Sequence, residues 1–158
     1  ADGYSVNIVD VPTVDDLVTW IGTTSNGGCL GYGSAPPCGT TPVNAFHIEF
    51  DTWYNAGDPI TDPTSANHIA ITLDGNPGNH LLHVAVPTLE DLVWRNVDVE
   101  IVGAVVTVRI NGSQVLSQSI PGFQLDGGWI GVSGSTGWAS NFHRFDNLEI
   151  RDRCRVPE

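Results

Sequence analysis

Apolar and polar residues alternate along most of this chain. YSVNIV, AFHIEFDTW, HIAITL, LLHVAV, NVDVEIV, VVTVRI, QVLSQSI, WIGVSGS and FHRFDNLEIR each show this pattern. A period of two sends successive side chains to opposite faces of a β-strand, so each stretch reads as a strand with one polar and one apolar face. No segment makes a convincing long helix. Turn residues punctuate the strands at short spacing, most plainly Gly103 between VDVEIV and AVVTVRI, and Asn111-Gly112 between VVTVRI and SQVLSQSI. Roughly ten short antiparallel strands with Gly- and Pro-rich connections predict an all-β fold, a β-sandwich whose two sheets bury their inner faces against each other. The stretches without strand character are Thr13 to Leu17, Thr23 to Thr41 and Asn55 to Asn67. Long ordered loops on a rigid sandwich are where binding residues usually sit.

At 158 residues, 41% of them apolar, the chain is of single-domain size, and residues 1–158 show no linker and no internal repeat. Eighteen acidic residues stand against six basic ones, all Arg, for a formal charge of −12. That balance argues against nucleic acid or an anionic membrane as partner. No apolar run has the length of a membrane span, and no basic, signal-like start is present. The chain contains no Met, so the reading expects sequence upstream of Ala1. Cys29 and Cys38 flank the loop CLGYGSAPPC and can close a small ring in an oxidising compartment. Two reduced, partly buried thiols are the plain alternative, and no second Cys or His pair stands nearby at zinc spacing. Cys154 is left over, and an odd cysteine in a secreted chain suggests a partner outside it. Asn111-Gly-Ser fits the N-glycosylation pattern, although the hairpin turn alone accounts for it.

The stretch FHIEFDTWYNAGDPITDPTSANHIAI concentrates the chemistry. Alternation puts His47, Glu49, Asp51 and Trp53 on one strand face, with Ile48 and Phe50 on the other. Two neighbouring carboxylates repel, and protonation, a basic partner or a cation relieves the repulsion. No Arg or Lys occurs from Ala45 to Ile71, so a cation is the economical answer. Asp51, the Trp53 carbonyl, Asn55 and Asp62 supply hard oxygens of the kind calcium takes. Glu49, Asp51, Asp62 and His68 can form an adjacent site whose imidazole suits a transition ion such as manganese. A solvated acidic loop, with His68 merely beginning a strand, is the bland alternative.

IEFDTWYN, the following DP and NHIAI together resemble the metal-binding segment of the L-type (legume-type) lectins, in the concanavalin A-like lectin/glucanase superfamily. ADGYSVNIV is similar to that family's Ala-Asp-Gly strand, NGGCLGYGS to its Gly-rich turn, and WIGVSGSTGWASNFHRFDNLEI to its closing strand, variable loop, His and last strand. The resemblance covers nearly the whole chain. It implies a jelly-roll sandwich, calcium at Asp51, Asn55, Asp62 and the Trp53 carbonyl, and a transition ion at Glu49, Asp51, Asp62 and His68. The Asp62-to-His68 stretch is about one residue longer than the common family pattern, and Asp58-Pro59 competes for the same role. Asp62 is chosen because it lies closer to His68, with Asp58 as the alternative.

The resemblance also implies a sugar site built from Asp2, the Gly28 N–H, the Asn55 amide and the Trp53 ring, with Trp138 and Asn141 in the specificity loop. A carboxylate accepts from two hydroxyls, glycine permits close backbone approach, and an aromatic face covers the C–H side of a pyranose. In the family the Ala–Asp bond, here Ala1–Asp2, is cis. Related glucanases place their catalytic acids in a Glu-x-Asp-x-Glu strand; here the third position is Trp53, so a binder rather than an enzyme is expected. The implied function is a calcium-dependent lectin domain, secreted or at the cell surface, that recognises a glycan or polysaccharide through a shallow loop site. A structural or adhesive module with the same fold and no working sugar pocket is the alternative. Shallow sites bind weakly, so several sites on one assembly, such as a homo-oligomer, are expected. In the family, strands precede Ala-Asp-Gly and one pairs beside the C-terminal strand. The reading therefore expects an upstream segment or partner chain that completes the sandwich and reaches Cys154.

Overall fold

The computed structural model describes residues 2–57, 59–122 and 128–151. It is an all-β sandwich. One sheet has five strands in the order β4-β3-β2-β1-β8, and the other has three, β5-β6-β7. The strands are β1 (Gly3–Val9), β2 (Ala45–Asp51), β3 (His68–Leu73), β4 (Leu82–Ala85), β5 (Val97–Val102), β6 (Val105–Ile110), β7 (Ser113–Ser119) and β8 (Trp129–Ser135), and every pairing is antiparallel. The bounds of β3, β6 and β8 coincide with the alternating stretches read from sequence. At the β6–β7 turn, Asn111 and Gly112 both have positive φ, 50° and 79°. That is the requirement of the two-residue hairpin turn that Asn-Gly favours.

Alternation decides what each face does. Ile8 of β1, Phe46, Ile48 and Phe50 of β2, and Ile69 and Ile71 of β3 point toward the small sheet, where Val106, Val108 and Leu116 meet them to form the main core. Tyr4 stacks on Phe50 with ring centroids 4.6 Å apart. The opposite face of the large sheet carries Ser5, Asn7, His47, Glu49, Asp51, His68 and Thr72, and these polar residues are buried as well. Helix α1 (Val14–Ile21) and the Thr23–Thr41 loop are the cover. Thr13 and Asp16 form a capping box at the start of α1. Trp20, Leu30 and Tyr32 build a second apolar cluster with Val9 and Ala45. A Cys29–Cys38 disulfide closes the loop. Ser133 and Ser135 of β8 donate to the carbonyls of Leu30 and Gly27, at 2.9 and 2.8 Å.

One expected strand is corrected. FHRFDNLEIR forms no ladder over its described residues up to Arg151. The segment lies face-on rather than edge-on: the Phe145 ring meets Tyr4 edge to face at 5.1 Å, and His143 sits over Gly134. Backbone groups stacked over a sheet face cannot align with a strand edge. Phe142, Leu148 and Ile150 of this segment are exposed. Cys154 and Ala1, hence the Ala1–Asp2 bond, lie outside the described residues, as does Asp58.

Candidate metal centre and adjoining cleft

Strand β2 presents His47, Glu49 and Asp51 to the covered polar face, and their environments differ. The His47 Nδ1–H donates to Asn7 Oδ1 at 2.8 Å, while its Nε2 accepts from the Gly75 N–H at 3.1 Å. Tyr32 stacks on the ring at 4.0 Å. Both nitrogens are used and burial holds the imidazole neutral, with its pKa pushed down to about 3. His47 is a structural residue.

Glu49 and Asp51 belong to a different cluster. Glu49, His68 and His80 have one ligand atom each within 4.8 Å of one another, and so do Asp51, Asp62 and His68. Tyr32 donates its hydroxyl to Glu49 Oε1, and the same hydroxyl is 2.7 Å from Thr72 Oγ1. His68 donates from Nδ1 to the Ala66 carbonyl at 3.2 Å, which leaves the Nε2 lone pair as the ring's acceptor. Asp51 Oδ1 accepts from the Trp53 N–H at 2.7 Å, and Asp62 Oδ2 accepts from the Asn55 N–H. Six buried atoms here have no hydrogen-bond partner among the described residues: Glu49 Oε2, His68 Nε2, His80 Nε2, Asn55 Oδ1, Asp62 Oδ1 and Asp2 Oδ2. An unsatisfied buried polar atom costs about 1–3 kcal/mol, so a convergent set of them calls for a ligand.

The electrostatics lead to the same demand. Burial, then the Asp62 carboxylate and Glu49, push the Asp51 carboxyl up to about 9. Burial raises Asp62 to about 6 against the opposing Asn55 N–H. Burial also raises Asp2 above its ordinary value and lowers His68 below its own. Carboxylate oxygens and imidazole nitrogens grouped in this way could hold a metal ion.

A cleft of about 590 Å³ adjoins the cluster, lined among others by Asp2, Gly28, Trp53, Asn55, Gly137 and Trp138. Asp2 is buried, and its carbonyl accepts from the Thr52 N–H and hydroxyl at 2.8 and 2.6 Å. Two glycines leave room for the Asn55 and Asp2 side chains where they stand. A Cβ on Gly28 would meet the Asn55 amide nitrogen at 2.8 Å, and one on Gly137 would meet Asp2 Oδ2 at the same distance. Trp53 and Trp138 are 45% and 102% exposed, so their rings are open to a ligand. Asn141 points elsewhere, its amide donating to Glu90 Oε1 at 2.6 Å.

The structure places Glu49 with His68 and His80, and Asp51 and Asp62 with His68, so the two groups share His68. The structure also sets Asp2, Gly28, Trp53, Asn55 and Trp138 around one cleft. Sequence reading missed His80 and Gly137. The only available signals were a histidine after the turn residues GNPGN and a glycine before Trp138, and neither is distinctive. No protein-family model matches this chain, and no curated protein matches it.

Proposed function

We propose that the chain is a calcium-dependent carbohydrate-binding module of the L-type lectin kind, with the jelly-roll winding that kinship implies. It takes a neutral, hexose-containing glycan in the cleft between Asp2, Trp53 and Trp138. One observation carries this reading: buried, unpartnered oxygens of Asp2, Asn55 and Asp62 accompany a cleft that two exposed tryptophans line. Asp51, Asn55, Asp62 and the Trp53 carbonyl would hold calcium, and Glu49, Asp51, Asp62 and His68 a transition ion. Calcium supplies the positive charge that lets the carboxylates ionise together. With its carbonyl given to the ion, Asn55 keeps its NH₂ for the ligand. Asp2 accepts from two sugar hydroxyls, the Gly28 N–H donates, and a tryptophan face covers the sugar's C–H side.

Binding rather than hydrolysis is favoured because Trp53 stands where a second strand carboxylate would be needed. The Cys29–Cys38 disulfide is consistent with an extracellular setting. Monosaccharide affinity should fall between roughly millimolar and micromolar, so function would draw on several sites per assembly. A glycan array read with and without chelator tests the proposal. Binding that chelator abolishes and calcium restores is expected. Calcium uptake without any glycan signal would make the chain a structural module instead.

A further inference from the structure

The polar face holds a second imidazole that the proposed ligand set does not use. His80 follows the β3–β4 hairpin loop, whose Leu81 N–H is anchored to the Ile71 carbonyl at 2.9 Å. Its side chain is 7% exposed and Glu49's is 1%, and His80 Nε2 stands 3.4 Å from Glu49 Oε2. Neither atom makes a hydrogen bond, and His68 Nε2 beside them has none either. Ligands about 2.1 Å from one ion at tetrahedral angles stand roughly 3.4 Å apart, which is the Glu49–His80 spacing, and the ligand atoms of all three residues lie within 4.8 Å of one another. Two of the trio are held by supporting bonds. Tyr32 holds Glu49 Oε1, leaving Oε2 for the imidazoles, and the Ala66 carbonyl fixes His68 with Nε2 bare.

We propose that His80 is a direct ligand of the transition ion and takes the place there of Asp51 and Asp62, which are left to calcium, so that Glu49, His68 and His80 form a two-imidazole, one-carboxylate site selective for zinc over manganese. This deepens the metal-dependent reading of the same face. Two nitrogens favour a borderline ion late in the divalent series, whereas manganese prefers an all-oxygen or single-imidazole set.

X-ray absorption on the zinc-loaded wild-type protein should count two imidazoles on the ion; one or none overturns the proposal without recourse to a variant. Calorimetric titration of metal-stripped protein should show zinc at least about tenfold tighter than manganese. His80→Gln, which keeps the volume, should weaken zinc by on the order of 100-fold and manganese by less than about threefold. Equal affinity for the two ions, or an unchanged zinc affinity in a folded His80→Gln protein, overturns it. These readouts involve neither sugar nor calcium. Glycan binding without the two-imidazole signature removes this inference and leaves the lectin reading standing; the signature without glycan binding does the reverse.

Discussion

Asp51→Asn should make the metal-free protein more stable while abolishing its response to calcium. Burial and the neighbouring carboxylates hold the Asp51 carboxyl at about 9 in the folded chain, against 3.8 when free. Between those values the folded protein keeps a proton that the unfolded chain has released, so metal-free stability falls as pH rises from about 4 to about 9. At pH 7, roughly three units above the free value, the loss is about 4 kcal/mol; at pH 9 it is about 7 kcal/mol. Asparagine is neutral throughout, and its carbonyl can still accept the Trp53 N–H that Asp51 now accepts at 2.7 Å. In chelator the variant should match the parent near pH 4 and exceed it by up to about 4 kcal/mol at pH 7. For a domain of this size that is about 8–16 °C in Tm. Calcium at a hundredfold excess over Kd should add about 2.7 kcal/mol to the parent and nothing to the variant. Urea and thermal unfolding followed by circular dichroism at pH 4, 7 and 9, with chelator or calcium, measure all of this. A variant less stable than the parent at pH 7 without metal, or a difference that stays constant with pH, would refute the reasoning.

Calcium affinity should fall as the solution is acidified, because binding requires both Asp51 and Asp62 as carboxylates. The expected slope in calorimetry is about tenfold per pH unit between 9 and 6 and steeper below 6, and a flat profile would contradict it. Trp53→Ala should weaken glycan binding while leaving calcium affinity nearly intact, since only its carbonyl serves the ion; equal loss of both would merge roles kept separate here. Gly137→Ala places a Cβ 2.8 Å from Asp2 Oδ2 and should reduce glycan binding on the order of tenfold or more without changing calcium uptake. Unchanged sugar titration would remove Asp2 from the cleft's chemistry.

Much of this architecture was legible because alternation is a local signal. HIAITL, VVTVRI and WIGVSGS became strands over the same residues, and Asn111-Gly112 became a tight hairpin turn. The disulfide was legible from Cys spacing in a Gly/Pro-rich loop. Polarity read in one dimension was incomplete in one respect. Alternation gave β2 a polar face without showing that it is covered: Tyr32 and the Cys29–Cys38 loop seal it, so His47, Glu49 and Asp51 are nearly inaccessible. Pattern also overcalled FHRFDNLEIR, since alternation records which side of a segment is apolar and not whether an edge is there to pair with. His80 escaped notice because it reaches Glu49 only when the β3–β4 hairpin folds back, a contact without local periodicity.

Every residue of strand β2 is buried. Its two faces restrict substitution differently. Phe46, Ile48 and Phe50 admit only exchanges of similar volume. His47, Glu49 and Asp51 admit scarcely any that keep both the named polar partners and the cluster's ligand atoms, Asp51→Asn among those that give up the ligand. Strands β5 and β7 are the reverse, with most of their residues exposed or half-exposed. Substitutions should therefore be tolerated far better on β5 and β7 than on these seven residues. A library built to retarget the cleft should hold 45–51 constant and place its diversity at the rim, around Trp53 and Trp138.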